Sequence, residues 1–545
     1  MRAWSNPRIR FLIFFLALAV VWFGTLDYRR LIRTDEGRYA DIPFEMMVSG
    51  DWLTPRLNGI NYFEKPPLQY WATALAFKSF GVHEWTARLW SAATGFAGVL
   101  LAWFCGTRLF GRPAGDYAAA ILGSTALYLL IGQADTLDMG FTFFMELALL
   151  GFLLAQHDER HSPRWMLLSW TGLALSVLSK GVVGLVLLGM TLIVYSLATR
   201  DRSFWRKLNP VWGIPVFLLI AAPWFIAVSI VNPEFVRFFF VHEHFERFLT
   251  KVHHRYGPPW YFIPIFLIGA LPWTPFMLTT LCREWSARRA AIFQPMRVLW
   301  IWSVVVFVFF SISDSKLPTY ILPIFPALAL ATGNILADID QKFLVRVLGA
   351  LGLVALALLS AIPYLSTHMR FEVPPEMIHA YSHWLVASSA IWLLGILMAW
   401  GLALRNRISP AIFFLAAFSL TAEMGVLLGH ECLNRWTSAY HLASLVKSRI
   451  PPEVPVYCVN MYDHTLPVYL QRTLILVEHP DEMAFGLEHE PWKWIPTIDE
   501  FKKRWAADPD AFAFMSLEDY VLLGKKGVSM TLIAQDVRLV VARKK

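Results

Sequence analysis

Acidic and basic residues whose types suit catalysis are concentrated in four short segments between strongly apolar stretches of the chain. In the first segment Asp35 and Glu36 are adjacent, and carboxylates are common general acids and bases. Adjacent carboxylates are costly in lipid and cheap in water, so this pair must face solvent or a wet pocket. Taken alone, the pair is better explained as solvated loop acids, and its interpretation depends on the other segments.

The second segment, residues 62–71, has the sequence YFEKPPLQYW. Its two prolines stiffen the chain and suit the first turn of a helix. Glu64 and Lys65 then precede that helix, where backbone N–H groups favour an anion. A plain helix start explains the prolines, but it leaves the lysine unexplained.

Histidines dominate the third segment, in which HEHFER at 242–247 is followed by HHRY at 253–256. Four histidines and a glutamate within thirteen residues could bind a divalent metal. The spacing matches no closed structural zinc site and lacks the HExxH order of zinc proteases, so histidines that only form hydrogen bonds are the alternative. The fourth segment, SDSKLPTY at 313–320, contributes Lys316 and Tyr320.

The composition indicates that lipid surrounds most of the chain. Of the 545 residues, 57% are hydrophobic and 16% are charged, whereas soluble domains carry roughly a quarter charged residues. The net charge of +8 is spread in small clusters between apolar runs, which indicates membrane orientation and not a nucleic-acid partner. Apolar runs of ~20 residues predict an α-helical polytopic membrane protein with about thirteen transmembrane helices. The predicted spans cover residues 9–26, 86–106, 115–132, 138–156, 164–179, 181–198, 211–230, 260–281, 297–313, 319–337, 344–364, 382–403 and 410–429.

Charge asymmetry predicts how the chain lies in the membrane. With the N-terminus in the cytoplasm every predicted inner loop is basic, as the positive-inside bias requires. An odd number of spans then places the C-terminus outside. The predicted domains are a membrane part at residues 1–430, with long outer segments at 27–84 and 232–259, and a soluble α/β domain at 431–545. Strand-like and helix-like runs alternate in that last region.

Several cations fall at the outer face, where they weaken the orientation signal and need a separate reason. Lys65, Lys180, Arg247, Arg255 and Lys316 are all predicted to lie there. An anionic ligand at the outer face is the economical reason, and solvated loop charges are the alternative.

Together the motifs resemble those of one known family along essentially the whole chain. They are DEGRYA after the first span, YFEKPPLQYW, ADTLD, the SKG turn at 179–181, HEHFERF with RYGPPWYF, and SKLPTY. As a set they resemble the C-type (GT-C) membrane glycosyltransferases, and within them the aminoarabinose–lipid A transferases (ArnT-type), which are related to protein O-mannosyltransferases. One departure is Gly37, which stands where many relatives have proline.

The resemblance implies roles for individual residues at the outer face. Asp35 resembles the principal catalytic carboxylate, and Lys65 and Arg247 resemble a clamp on the phosphate of a lipid-linked donor. Asp135 is implied as a further catalytic residue of the cavity. A divalent metal, most simply zinc, would be bound by Glu64, His242 and His244. The implied substrate-binding residues are Glu36, Arg38, Tyr39, Tyr62, Lys180, Arg255, Lys316 and Tyr320.

The resemblance also implies the reaction. The expected activity is transfer of 4-amino-4-deoxy-L-arabinose from undecaprenyl phosphate to lipid A phosphate groups at the periplasmic face of the bacterial inner membrane. Direct displacement predicts inversion at the sugar carbon. Alternatives of the same chemistry use glucosamine, galactosamine or mannose, or a protein hydroxyl as acceptor. A lipid transporter is disfavoured because no paired half-chains are visible, and a non-enzymatic assembly or sensor protein is the third class.

Overall fold

Helices form over every one of the predicted apolar segments. The computed structural model describes residues 7–246, 257–286, 293–370 and 372–545. Apolar side chains dominate these segments, so the backbone polar groups must be paired within each segment, which only a helix achieves in lipid. The helices up to residue 429 are α1 (Pro7–Phe23), α2 (Asp35–Ser49), α3 (Leu68–Phe80), α4 (Glu84–Phe110), α5 (Arg112–Gly123), α6 (Ala126–Gly132), α7 (Leu137–His157), α8 (Ser162–Lys180), α9 (Val183–Thr199), α10 (Pro210–Val231), α11 (Phe262–Gly269), α12 (Thr274–Ser286), α13 (Pro295–Ile312), α14 (Ile324–Ala337), α15 (Gln341–His368), α16 (Pro375–Leu404) and α17 (Ile408–Gly429).

The number of candidate spans is smaller than the sequence predicts. Within the described residues, seven helices are long and apolar enough to cross a membrane, or nine if each of two bent pairs is one span. The pairs are α5 with α6, bent by 64°, and α11 with α12, bent by 117°. Composition counts an apolar run whether or not it forms one straight helix, and three apolar helices are short: 14–23, 183–199 and 324–337. The chain is therefore a polytopic helical membrane protein with seven to nine candidate spans, not an established thirteen.

Helix α7 lies at the centre of the bundle. In its most apolar window 83% of the residues are buried, against 17% for α10 and 22% for α15. Small residues allow its close packing, since a Cβ on Gly172 of α8 would lie 2.7 Å from the backbone nitrogen of Ala148. Helices α10 and α15 are strongly apolar in these windows and mostly unburied, as expected of surfaces that face lipid.

The first outer segment is folded and is not an open loop. After α2, Gly50 has φ 74° and its N–H donates to the carbonyl of Met46, which ends the helix in a left-handed cap. A short antiparallel hairpin follows, formed by β1 (Arg56–Leu57) and β2 (Ile60–Asn61). Helix α3 follows the hairpin and leads into α4. The second outer segment, at 232–259, contains a π-helix over Arg237–Glu246.

A six-stranded sheet forms the C-terminal region. Its order is β5-β4-β3-β6-β8-β7; the first four strands of that order are parallel and the last two are antiparallel. The predicted strands near 454–459, 473–477 and 537–541 exist with shifted ends. The strands are β3 (Val456–Val459), β4 (Ile475–Val477), β5 (Trp494–Ile495), β6 (Phe512–Met515), β7 (Met530–Gln535) and β8 (Val540–Lys544), and the helices are α18 (Asn434–Thr437), α19 (Tyr440–Val446), α20 (Thr465–Leu470), α21 (Ala484–His489), α22 (Ile498–Ala507) and α23 (Leu517–Lys525).

The sheet region packs directly on the first outer segment. Asn58 donates to the carbonyl of Leu474 at 2.8 Å and accepts from its N–H at 2.7 Å. The Glu490 carboxylate accepts from the N–H of Asn61 at 3.0 Å. Apolar residues of α2, β1 and the sheet belong to one buried cluster, so the outer segment and the sheet share a hydrophobic core.

Candidate active site

Glu36 ties the first outer segment to the membrane part. Its carboxylate accepts hydrogen bonds from Nε and Nη2 of Arg88 at 2.7 and 2.8 Å, and from the N–H groups of Ile32 at 2.9 Å and Asp135 at 3.0 Å. Burial alone would raise the pKa of Glu36, but Arg88 and these hydrogen bonds lower it to about 2. The carboxylate is ionised, buried and held by four donors, which suits an anchor better than a direct contact with substrate.

Arg38 lies at the centre of a polar group on the first turns of α2. Its side chain is 2% exposed; Nη2 donates to Oε1 of Glu482 at 2.8 Å, and Nε lies 2.8 Å from Oε2. Nη2 is also 3.5 Å from Oδ1 of Asp35, and Nη1 donates to the Tyr62 hydroxyl at 3.5 Å. The guanidinium lies 5.3 Å from the centre of the Tyr39 ring. Arg38 therefore joins the predicted site residues of the outer segment to a carboxylate of the C-terminal region.

Asp35 is the accessible member of this group. Its side chain is 58% exposed, and as the first residue of α2 it lies where the helix dipole favours a carboxylate. Thr34 before it has φ 72°, a conformation that a β-branched residue rarely adopts. The surrounding contacts must hold this turn, so the structure keeps Asp35 at the open edge of the polar group.

Asp135 is the buried counterpart of Asp35. The side-chain amide of Gln69 donates to its Oδ1 at 2.6 Å, and no hydrogen bond reaches Oδ2 within the described part of the chain. Burial, with the nearby charge of Glu36, raises the pKa of Asp135 well above its usual range. The raised pKa favours the protonated carboxyl, which can donate a hydrogen bond from Oδ2.

Lys65 connects the second and third sequence segments. Its ammonium donates to the Glu64 carbonyl at 2.8 Å and to Oε2 of Glu243 at 3.0 Å, and it lies 3.7 Å from the Glu64 carboxylate. The Lys65 side chain is only 13% exposed. The structure thus fixes a partly buried cation with two acids at its side.

Lys180 connects three further motifs. It ends helix α8, and its ammonium pairs with the carboxylate of Asp138 at the start of α7. The same nitrogen lies 4.6 Å from the centre of the Tyr320 ring and 5.7 Å from that of Phe141, within the range of cation–π attraction. The SKG turn, ADTLD and SKLPTY therefore meet at one cation.

Lys316 lies in the turn after α13. Its ammonium donates to the Ser313 carbonyl, and it lines a cavity of about 380 Å³ with Pro259, Phe307 and Asp314. No other predicted site residue in the described ranges lines this cavity. The predicted residues Arg247 and Arg255 lie outside the described residues, as does the side chain of His244.

The predicted metal ligands do not form a complete set within the described residues. No group of three or more His, Cys, Asp and Glu residues there is arranged to hold a metal ion. His242 stacks on Phe238 with ring centres 5.2 Å apart, and the Glu64 carboxylate has the Lys65 ammonium 3.7 Å away, a cation that competes with a metal. Glu64 and His242 alone therefore do not fit a closed site, and the metal stays a prediction.

Two family models match separate parts of the chain. Residues 442–544 match the aminoarabinose transferase C-terminal domain, and residues 64–226 match the dolichyl-phosphate-mannose-protein mannosyltransferase model. The undecaprenyl phosphate-α-4-amino-4-deoxy-L-arabinose arabinosyl transferase of Pseudomonas aeruginosa (strain LESB58) is 33% identical over 450 residues, which are 80% of this chain and 79% of that protein. The chain belongs to the aminoarabinose transferase family. The family predicted from the motifs is confirmed.

Solved structures agree with this assignment. The crystal structure of the aminoarabinose transferase ArnT from Cupriavidus metallidurans, bound to undecaprenyl phosphate, has 38% sequence identity and a TM-score of 0.93, with 98% of each chain covered. The oligosaccharyltransferase of Archaeoglobus fulgidus, in the apo form, has a TM-score of 0.52 at 13% identity, over 93% of this chain and 69% of that chain. This second likeness is one of fold alone, because the sequences are only 13% identical.

Several residues of this aminoarabinose transferase site were not predicted. Arg88 lies within a candidate span. Because charges inside membranes are costly, a cation at that position could have been recognised from the sequence as a functional or structural residue. Asp138 was visible only as part of the ADTLD motif. Glu482 carried no signal, since an acid in an ordinary α/β region is usually solvated. Its contact with Arg38 joins residues that are 444 positions apart.

Proposed function

We propose that this protein transfers 4-amino-4-deoxy-L-arabinose from undecaprenyl phosphate to the phosphate groups of lipid A, and so modifies lipopolysaccharide at the periplasmic face of the bacterial inner membrane. The observation that carries the proposal is the likeness to ArnT bound to undecaprenyl phosphate, at a TM-score of 0.93 over 98% of both chains. The added amine masks anionic phosphate and lowers the binding of cationic peptides.

The reaction needs one bond to break and one to form. The bond between the sugar carbon C1 and the phosphate oxygen of the donor breaks, and its electron pair leaves with undecaprenyl phosphate. An oxygen of the acceptor phosphate forms the new bond to C1. A single displacement of this kind inverts the configuration at C1, and no oxidant or reductant takes part.

Asp35 is assigned a role at the sugar. An acceptor phosphate is already ionised and nucleophilic, so Asp35 does not need to remove a proton from it. Its carboxylate is 58% exposed at the edge of the polar group around Arg38. There it orients the donor sugar and stabilises the positive charge that develops at C1.

Lys65 and Lys180, together with Arg247, are assigned to the leaving phosphate. Charge grows on that phosphate as the glycosidic bond breaks, and fixed cations stabilise it without reorganising. The structure supports this role for the two lysines because carboxylates already orient them: Glu243 holds Lys65 and Asp138 holds Lys180. Each lysine side chain is 13–15% exposed, so water screens it only partly.

The membrane arrangement follows from the same proposal. The full count of thirteen spans adds the three short apolar helices and α8 to the seven long helices and the two bent pairs. An odd count with a cytoplasmic N-terminus leaves the sheet region and the polar group around Arg38 on the periplasmic side. The polyprenyl tail of the donor then stays in the bilayer while its phosphate reaches the outer interface.

Mass spectrometry of lipid A tests the function. The chain is expressed in a Gram-negative host that lacks its own aminoarabinose transferase but makes the lipid-linked sugar. We expect a pentosamine-sized mass increase that Asp35→Asn abolishes. The matched control is Asp51→Asn in the same outer segment, where Oδ1 caps the N–H groups of Leu53 and Thr54 at 3.0 and 3.1 Å, a contact that asparagine retains.

The other results would revise the proposal in different ways. A hexosamine-sized increase keeps the reaction and replaces the sugar. No mass change, with folded protein and a donor lipid present, overturns lipid A as the acceptor. Equal activity of the wild type and Asp35→Asn overturns the role of Asp35.

A further inference from the structure

The C-terminal sheet presents one particular edge to the proposed active site. Strand β3 lies between β4 and β6, so the strand order reverses on its two sides. Open parallel sheets bind ligands outside the carboxyl ends of the strands at such a reversal. His464 follows β3 and Glu482 follows β4; Glu482 pairs with Arg38, and the His464 imidazole lies 3.9 Å from the same carboxylate. The sheet edge at which such folds usually bind ligands therefore faces helix α2.

Contact between this edge and α2 is as close as backbones allow. A Cβ on Gly37 would lie 2.5 Å from the carbonyl carbon of His464 and 2.7 Å from the nitrogen of Thr465. The turn that contains His464 is itself fixed, because the Asp463 carboxylate accepts from the N–H and hydroxyl of Thr465 and from Arg538. The sheet therefore locates the first turn of α2, which carries Asp35 and Arg38.

Charge balance at Arg38 depends on Glu482. The Arg38 side chain is 2% exposed, and a buried cation is costly without a counter-charge. Glu482 supplies two contacts at 2.8 Å, whereas Asp35 stands 3.5 Å away. If Glu482 were neutral, Asp35 would be the nearest anion to Arg38 and would be drawn into that pair, away from the sugar.

His464 does not compete for Glu482 at neutral pH. Its side chain is 4% exposed, with Nε2 3.5 Å from Asp481 and 3.9 Å from Glu482. Burial and the charge of Arg38 lower the pKa of His464 to about 4, against the opposing effect of Asp481, Asp463 and Glu64. The neutral imidazole leaves the Glu482 charge to Arg38.

We propose that Glu482 is a positioning residue of the transferase: it neutralises Arg38 from the C-terminal side and so leaves the Asp35 carboxylate available to the sugar. The proposal rests on the function proposed above. It assigns the C-terminal sheet a part in the reaction, beyond holding the outer segment.

A double-mutant cycle tests this role in the full-length protein. We expect Glu482→Gln to lower kcat/KM on the order of tenfold to a hundredfold, since misplacement of a reacting group by about 1 Å can cost 10²-fold. In an Arg38→Gln background the same change should have little further effect, because the pair is already lost. The matched control is Glu490→Gln, which removes a carboxylate that bonds Asn61 and Lys493 but does not touch Arg38. Its effect should be equal in both backgrounds.

The outcomes separate the positioning role from a structural one. Thermal unfolding is measured on every variant, and Glu482→Asp should restore part of kcat/KM because it keeps the charge. Equal effects of Glu482→Gln in both Arg38 backgrounds overturn the proposal. If Glu482→Gln does not fold, Glu482→Asp is the deciding variant. The role is supported if Glu482→Asp lowers kcat/KM in the wild-type background but not in the Arg38→Gln background. It is overturned if Glu482→Asp has wild-type kcat/KM or does not fold. Absence of aminoarabinose transfer by the wild type refutes the proposed function instead.

Discussion

Glu36 and Arg88 form an ion pair through two nitrogen–oxygen contacts of 2.7 and 2.8 Å. The pair joins the first turn of α2 to the N-terminal end of α4, and both side chains are at most 3% exposed. Since the N–H of Asp135 also donates to this carboxylate, three chain segments meet at one buried acid. The proposed catalytic residue Asp35 is the neighbour of that acid in the sequence.

Glu36→Gln should therefore destabilise the protein strongly. Breaking a buried ion pair by removing one partner leaves an uncompensated charge and costs about 3–5 kcal/mol. The thermal unfolding temperature measured in detergent should be clearly lower for Glu36→Gln than for the wild type. The exposed pair of Lys207 and Glu159 supplies the control, because Glu159→Gln should leave the unfolding temperature unchanged. Equal unfolding temperatures for the two variants would refute the anchoring role.

The same carboxylate should make stability depend on pH in the acid range. Its pKa is lowered from 4.5 to about 2 in the folded protein, so the unfolded chain binds the proton more readily. The stabilisation is then complete above about pH 4.5 and is lost as the pH falls towards 2, by roughly 3 kcal/mol in all. The difference in unfolding temperature between wild type and Glu36→Gln should shrink between pH 5 and pH 3. A constant difference contradicts the assignment.

Gly37→Ala should disturb the contact between α2 and the sheet. The new Cβ would lie 2.5 Å from the His464 carbonyl carbon, and overpacking of this kind costs about 1–3 kcal/mol. Gly524→Ala is the matched control, because nothing lies within 4 Å of the added Cβ there. Limited proteolysis should cut the sheet region of Gly37→Ala faster than that of wild type or Gly524→Ala. Unchanged proteolysis would mean that the backbones can separate without cost.

Lys180→Gln should lower kcat strongly while changing the unfolding temperature little. Loss of one oriented group that stabilises transition-state charge costs about 10²- to 10³-fold in kcat. Lys180→Arg keeps the charge and should retain more activity, and Lys78→Gln removes an exposed outer cation of α3 and should be silent. The measurement is transfer to lipid A by purified variants of matched unfolding temperature. Full activity of Lys180→Gln would remove the residue from the site.

Metal analysis of the purified protein should decide the predicted zinc site. If Glu64, His242 and His244 bind zinc, elemental analysis gives about one equivalent, and His242→Ala lowers it sharply. His383→Ala on α16 is a control that should not change the metal content. Metal-free wild type of full activity would refute the site, and it would agree with the Lys65 ammonium 3.7 Å from Glu64.

The helices and the motifs at the outer face were predictable because hydropathy and charge act locally. Every predicted apolar run lies on at least one helix, but α2 and α3 fall outside those runs. The motifs brought Asp35, Lys65 and Lys180 to attention. The bends of 64° and 117° in two apolar pairs were not predictable, since tertiary packing determines whether an apolar run stays straight. Helix length and composition in the described residues support seven to nine candidate spans, and the count of thirteen stays a proposal.

The partners of the site residues were not predictable from the sequence. The Glu482 contact with Arg38 depends on how the sheet docks, and no local pattern encodes that docking. The family resemblance implied that Glu36 binds substrate. Consecutive residues of a helix point in different directions. In the structure Glu36 points inward to Arg88, whereas Asp35 is exposed.

The backbone contact between Gly37 and His464 limits how this enzyme can be recombined with its relatives. A hybrid that takes its membrane part from a relative with proline or any larger residue at the position of Gly37 would place an atom where the His464 carbonyl now lies. Such a hybrid should fail even if each half comes from an active parent. The glycine and the facing turn must therefore come from the same parent. A hybrid that takes residues 37 and 463–465 from one parent should fold.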